Sequence, residues 1–420
     1  MIKKTLTKSE FKKNVLILMT GSAIAQAIPI AISPILTRIY SPKDFGLLAL
    51  YMSICSIFVV FSSGRYDLAL IEPKDDHEAK HLFIGSIILS ALFCVFLLIF
   101  FVFFNSQITS LLGNEDISIW LYVVPLTVFA LSCYSIFHHW LNRKKKFKDM
   151  SLNRIINHSS GSFIQCILGF LKFKSFGLII GYTLGQLIAI VILWKKIFKE
   201  KFNFNKKAIY ITMKEYVRYP KYLIPATLAG TTAGEAPVIL LTKFFDSSIS
   251  GFFSLTTRVS AAPISLIGNA IGEVYRQRAA EEYQRHNNCK ALFLKTFLLL
   301  FVIGLVPFAI LFFFSVPLFT FVFGAEWAIA GRFAKYISFL IFFQLLSTPL
   351  SYTIVFNQSQ KYDMVLQIGR TIFCILSITI GYYYSDYYLG VILYVISFSL
   401  YYVSHSILQY KSACGSVLRA

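Results

Sequence analysis

Charge is scarce in this chain. Only 14% of its 420 residues are Asp, Glu, Lys or Arg, against roughly 25% in a soluble globular domain. That excludes a cytosolic enzyme, and the apolar remainder excludes a disordered tail. Acids are the scarcer sign: 20 Asp and Glu stand against 40 Lys and Arg, a net charge of +20. On a soluble protein this surplus would point to nucleic acid. In an apolar chain it points to cationic loops on the cytoplasmic side of a membrane, and no nucleic-acid partner is expected. Cysteine is sparse and odd in number. Cys55, Cys94, Cys133, Cys166, Cys289, Cys374 and Cys414 form no CxxC and mostly fall inside apolar runs. They read as small core hydrophobes, not as a disulfide or metal framework. No GxxxxGK[ST], HExxH or GxSxG occurs, so no built-in ATPase is visible. His138-His139 has no nearby Cys or His to complete a metal site and reads as an interfacial pair. No catalytic residue, metal ligand or cofactor is assigned.

Apolar residues make up 56% of the chain, and the mean hydropathy is +0.66. A helix needs about 20 mostly apolar residues to cross a bilayer, so there is material for about 11 or 12 crossings. The runs place spans at 14–36, 45–63, 82–104, 118–139, 152–172, 175–194, 221–243, 251–274, 291–323, 333–355, 364–384 and 388–409. The fold class is therefore an all-α integral membrane protein of about twelve transmembrane helices. The ninth run is long, and Pro317 can divide it into a span and an interfacial turn. Basic residues precede the first run and Ala25-Gln-Ala27 resembles a signal cleavage site, but the run is too long for a signal core. A retained helix fits better. With the amino terminus inside, the cytoplasmic segments hold 32 of the 40 Lys and Arg and the opposite side holds 7. This asymmetry puts both termini in the cytoplasm and supports an even number of spans.

The longest internal segment, 195–220, divides the chain nearly in half. It gives an amino-terminal six-helix bundle over 1–200, a cytoplasmic linker over 201–219 and a carboxyl-terminal six-helix bundle over 220–420. Within the linker, Ile209, Thr212, Met213, Tyr216 and Val217 recur at helical spacing beside Lys206, Lys207, Lys214 and Arg218. That pattern suits a helix on an anionic inner leaflet, and equally a solvated linker. The halves also echo each other. Leu36-Thr-Arg38 with Gly46 to Leu50 matches Leu241-Thr-Lys243 with Gly251 to Leu255, both pairs offset by 205 residues. Duplicated halves are common in transporters, with the substrate site between them.

Charges inside apolar runs carry the functional signal, because an ion in hydrocarbon is costly and usually faces a wet cavity. Arg258 stands alone in span eight and is the candidate anion contact. Glu235, near the middle of span seven, is the first candidate for proton or sodium coupling, and Asp67 the second. Arg258 and Glu235 can equally pair to cancel each other's charge. Arg65, Arg154 and Arg370 lie at the inner ends of spans two, five and eleven. They are candidate phosphate contacts, since a guanidinium fork holds two oxygens at once; snorkelling to the interface is the simpler alternative. Pro29, Pro34, Pro225, Pro237 and Pro263 interrupt spans one, seven and eight, as hinges or as fixed bends. Among 24 tyrosines some can stack on sugar rings, but composition does not say which.

Leu36-Thr-Arg-Ile-Tyr-Ser-Pro-Lys-Asp-Phe-Gly46-Leu-Leu-Ala-Leu-Tyr51 closely resembles the first external turn of bacterial O-antigen and capsule flippases. These form the polysaccharide branch of the multidrug/oligosaccharidyl-lipid/polysaccharide exporters. Gly64-Arg-Tyr-Asp-Leu-Ala-Leu-Ile-Glu-Pro73 is similar to the segment after their second helix, where Asp67 replaces a frequent Glu. Gly251 to Leu255 and Pro263 to Gly268 resemble their eighth helix. The resemblance implies two six-helix bundles around a V-shaped cavity, alternating access and a bacterial inner-membrane location. It implies a substrate of undecaprenyl pyrophosphate bearing an oligosaccharide repeat unit, moved from the inner to the outer leaflet. Partners would be membrane lipids and other polysaccharide-assembly membrane proteins.

Two alternatives compete. A cation-coupled multidrug exporter of the same superfamily would carry several central acids, yet spans one, three, four, six, nine and ten have none. An O-antigen polymerase or ligase would need large external loops, and here none exceeds about 15 residues. The chain is therefore expected not to be an enzyme.

Overall fold

The computed structural model describes residues 8–200, 204–356 and 360–415. Every element in them is helical. Twelve long helices follow in order: α1 (Lys8–Ile39), α2 (Pro42–Ser62), α3 (Asp76–Leu112), α4 (Val124–Arg143), α5 (Phe147–Phe170) and α6 (Lys174–Ile197). After the short helix Lys206–Glu215 come α7 (Ile224–Phe244), α8 (Ser247–His286), α9 (Lys290–Phe323), α10 (Ala328–Ser347), α11 (Gln360–Tyr383) and α12 (Tyr387–Ala413). The chain is an all-α integral membrane protein. Among the described residues ten of the twelve are long and apolar enough to cross a bilayer. The exceptions are α5 and α8. Asn153, Arg154 and Asn157 lower the apolarity of α5, while Arg258 and a charged tail from Glu273 to Arg285 lower that of α8.

Several boundaries differ from the hydropathy reading. α8 runs to His286, twelve residues past the expected end of its span, because Tyr275 and Ala279 stay buried and Tyr275 OH bonds Thr353 Oγ1 at 2.7 Å. α9 is continuous through Pro307 and Pro317, so Pro317 does not start an interfacial turn. A chain in lipid keeps helical bonds wherever it can, since no water replaces them.

The chain forms two compact units, Met1–Glu235 and Ala236–Ala420. The repeat offset of 205 residues reappears in the helix ends. α1 ends at Ile39 and α7 at Phe244; α2 starts at Pro42 and α8 at Ser247. Their caps share the offset. Ser41 and Asp44 form a reciprocal capping box on α2, and the Asp246 carboxylate accepts from Ser248 N at 3.1 Å on α8. An oxygen side chain at N-cap satisfies amides that hydrocarbon would leave bare.

Lipid tails are as apolar as leucine, so close van der Waals packing holds such helices together. In the first unit α5 packs on α1 and α6, with glycine at the α5–α6 contact. A Cβ built on Gly185 would lie 2.7 Å from Gly161 Cα. In the second unit α11 and α12 meet the same way, a Cβ on Gly381 lying 2.5 Å from Gly390 Cα. The lipid-facing counterpart is clearest on α3 and α9. Phe96, Val102 and Phe103 on α3, and Val306, Phe313 and Phe321 on α9, all stand exposed.

The linker residues 206–215 do form a helix. Ile209 and Thr212 are buried, and Gly85 of α3 leaves room for Met213. Tyr66 OH donates to Met213 O at 3.0 Å. Part of the apolar face is thus covered by the protein, while Val217 of that face stays exposed.

Candidate functional site

The segment between α2 and α3 is built around one buried acid. Gly64 and Arg65 both adopt the left-handed conformation, φ +59° and +59°. For arginine this costs about 1–2 kcal/mol. The turn folds Asp67 back toward the end of α2, where Ser63 Oγ donates to Oδ1 at 2.8 Å. Ser135 Oγ of α4 donates to Oδ2 at 2.7 Å, and His139 Nδ1 stands 3.7 Å from the same oxygen. Asp67 is 1% exposed. A carboxylate is tolerated there only because hydroxyl donors replace its water. Arg65 is half-buried, and its Nε meets no acceptor among the described residues.

Arg143 holds this segment in place. Its guanidinium donates to Leu70 O (3.2 Å), Pro73 O (2.7 Å) and Asp76 Oδ1 (3.0 Å). Charge counting treats it only as a loop cation, so sequence reasoning missed this role. The missed partners Ser135 and His139 had a faint signal, being one helical turn apart on α4.

The same end of α4 carries a second polar layer. His138 lies between the Tyr134 ring, 4.2 Å away, and Asn153 Oδ1, 3.1 Å from Nε2. It is 7% exposed. Asn153 and Asn157 continue the layer to Ala189 O and Gln186 Oε1 of α6. Arg154 is half-buried beside them and donates to Ser22 Oγ of α1. Glu235 accepts from Ser53 Oγ of α2 at 2.7 Å. Ser53 itself is buried. Arg65, Asp67, Arg154 and Glu235 therefore all belong to the first unit.

Arg258 and Arg370 belong to the second. Arg258 is half-buried on α8, two residues past Thr256, whose Oγ1 donates to Ala330 O of α10 at 2.9 Å. Arg370 is half-buried on α11 and lies over the rings of Tyr401 (4.9 Å) and Phe398 (5.3 Å) of α12. Its Nε has no acceptor among the described residues. Nearby, His405 Nε2 is 3.1 Å from Asp363 Oδ1 and Nδ1 is 2.7 Å from Ser347 Oγ. Nothing in the hydropathy of α11 or α12 marks that pair.

On the exposed surface of the first unit, Glu72 is bonded by Arg218 and by Tyr219 OH, the latter at 2.6 Å. The Arg218 bond, then the Tyr219 bond, holds the Glu72 carboxyl below its ordinary range. Burial, reinforced by Glu78, pushes the Tyr216 hydroxyl up to about 12.

Residues 35–331 match the sequence profile of the family described as polysaccharide biosynthesis protein. The chain belongs to this family. The matched region holds Arg65, Asp67, Arg154, Glu235 and Arg258, while Arg370 lies beyond it. The succinoglycan biosynthesis transport protein ExoT of Rhizobium meliloti (strain 1021) is 20% identical over 301 residues, which are 71% of this chain. The chain spans 59% of that relative's length. Among solved structures, the lipid II flippase MurJ in an inward closed conformation has a TM-score of 0.74 at 15% identity, covering 95% of this chain and 90% of its own. An inward-facing multidrug resistance MATE family transporter has a TM-score of 0.68 at 13% identity, with 94% and 96% covered. A transporter of the same MOP superfamily from Pyrococcus furiosus, described as having a binding pocket of reverse polarity, has 0.60 at 16%, with 95% of each covered. At these identities the likeness establishes the fold alone, which this chain shares with those transporters.

Proposed function

We propose that this family member is a flippase. It moves undecaprenyl-pyrophosphate-linked oligosaccharide repeat units from the cytoplasmic to the outer leaflet of the bacterial inner membrane, by alternating access between its two six-helix halves. The observation that carries this reading is the family match over residues 35–331, together with arginine placed inside apolar helices. A pyrophosphate and its sugars cannot cross hydrocarbon unaided, because desolvating the charge costs tens of kcal/mol by an idealised Born estimate. Arg258 is the first anion contact. Arg65 and Arg370 each keep an Nε without an acceptor among the described residues, which suits them to take phosphate oxygens; Arg154 is a further candidate phosphate contact, in the first unit. Glu235 and Asp67 are the proton- or sodium-coupling acids. Both are held by hydroxyl donors, which accept either protonation state of a carboxyl. Both termini face the cytoplasm, as the loop charges direct.

The test is complementation of a flippase-deficient strain. Surface polysaccharide should return, and lipid-linked repeat units trapped on the inner face should fall. Unchanged trapping with the chain present in the membrane at normal amounts would overturn the reading.

A further inference from the structure

The tyrosines are not spread evenly over the fold. Gly381-Tyr-Tyr-Tyr-Ser-Asp-Tyr-Tyr388 crowds five of them into the α11–α12 turn. Two have nothing to do with the two that stand furthest out. Tyr383 and Tyr384 are 82% and 66% exposed and pair edge to face with each other, as interfacial anchors do. Tyr382 and Tyr387 instead line a cavity of about 360 Å³ in the second unit, together with Phe244, Phe245, Asp246 and Ser385. That volume is within the roughly 300–1,000 Å³ of clefts that hold small ligands.

The lining has a definite chemistry. Tyr382 stacks on Phe244 at 4.7 Å and 22°, yet remains 51% exposed, so one ring face is packed and the other open. Phe245 stands edge-on between Tyr382 and Tyr387, at 6.3 and 6.2 Å. The result is a rigid aromatic floor. Polar groups sit at its rim. Asp246 uses Oδ2 to cap α8 and stands exposed at the rim. Ser385 is turned into the left-handed conformation, φ +54°, and is exposed beside it. A greasy ligand would leave that rim unpaired. A phosphate would meet a carboxylate. A pyranose meets both needs, since it has a face of C–H bonds and an equatorial edge of hydroxyls.

We propose that this cavity is a carbohydrate-binding site, which takes a sugar ring of the glycan at the end of the second unit where the α7–α8 and α11–α12 turns lie. The proposal rests on the flippase reading and adds to it. The lipid-linked phosphate is held by arginine elsewhere, whereas this site recognises the sugar. By the loop charges these turns face outside, so the site receives the glycan as it emerges.

The probe is the repeat-unit oligosaccharide released by mild hydrolysis from the polysaccharide of the complemented strain. Saturation-transfer NMR is run on the full chain in lipid nanodiscs. Wild-type protein is expected to transfer saturation to the ring protons of the sugar. Tyr382→Leu and Tyr387→Leu should each bind about fivefold more weakly, the loss of one aromatic contact. Tyr382→Phe should bind nearly as well as wild type, because the ring remains, and Tyr383→Leu should be unaffected. Absence of transfer in wild type, or transfer in both leucine variants as strong as in wild type, overturns the site. In cells the double leucine variant should restore less surface glycan than wild type at matched membrane levels. Equal restoration overturns the sugar site and leaves the flippase reading standing. Failure of the wild-type chain itself to restore glycan removes the reading on which the site rests.

Discussion

Arginine and acid in this protein are each set by what the adjacent turn of helix supplies. Arg258 sits on α8 between Thr256, which ties α8 to α10, and Pro263, which α8 carries without a break. As an anion contact, it contributes a charge-assisted interaction of about 1.5–3 kcal/mol. Arg258→Ala is expected to abolish surface glycan in the complementation strain, and Arg258→Lys to keep part of it. Normal glycan in the alanine variant at normal expression would take Arg258 out of the mechanism. Glu235 accepts one bond, from Ser53. Glu235→Gln can keep that bond through its amide oxygen but cannot ionise. The variant should fold, and transport in proteoliposomes should no longer respond to an imposed proton or sodium gradient. A gradient response equal to wild type would assign coupling elsewhere, with Asp67 next to be replaced.

Between helices the deciding quantity is distance. Gly185 and Gly161 face each other across α5–α6, yet they are not equivalent. A Cβ on Gly185 would lie 2.7 Å from Gly161 Cα and 2.9 Å from its N, both backbone atoms that cannot swing aside. A Cβ on Gly161 finds its nearest neighbour at 3.4 Å. Gly185→Ala should therefore lose about 1–3 kcal/mol by overpacking, and Gly161→Ala should be nearly neutral. Thermal unfolding in detergent separates them; equal melting temperatures would refute the packing. The linker helix is governed by an ion pair instead. Glu72 is held below its ordinary value of 4.5, so its contribution to docking the linker is full above that value. The contribution is lost as pH falls through the lower value of the docked state. The pair is exposed and solvent-screened, so the effect is small. A spin label at Tyr210→Cys should gain slightly in mobility as pH falls below the ordinary carboxylate range. Arg218→Ala should give the same small gain already at neutral pH. An immobile label at acid pH would show that Ile209 and Tyr216 alone hold the helix.

For the whole molecule the sharpest expectation is orientation. With 32 basic residues assigned to one side and 7 to the other, a fluorescent reporter fused after residue 200 should mature in the cytoplasm. A reporter active only outside the cell should work after residue 113. The opposite pattern would invert the chain and move the aromatic cavity to the inner face. Much of the architecture was legible beforehand. Apolar run length, loop charge and the 205-residue echo are properties of the linear chain, and the helix ends Ile39 and Phe244 keep that echo. The polar spans were harder. α5 and α8 are long helices whose residues look half-soluble, because Asn153, Asn157 and Arg154 find their partners on other helices.

Apolar content was enough to make this a multi-span helical protein, because burial in lipid acts on each segment separately. Folding chose the neighbours. Ser135 and Asp67 are 68 positions apart, Ser53 and Glu235 182 apart, and Phe244 and Tyr382 meet from opposite ends of a unit. Such pairs form only when helices pack within van der Waals distance. A glycine or a left-handed residue sets that distance, and neither leaves a trace in hydropathy.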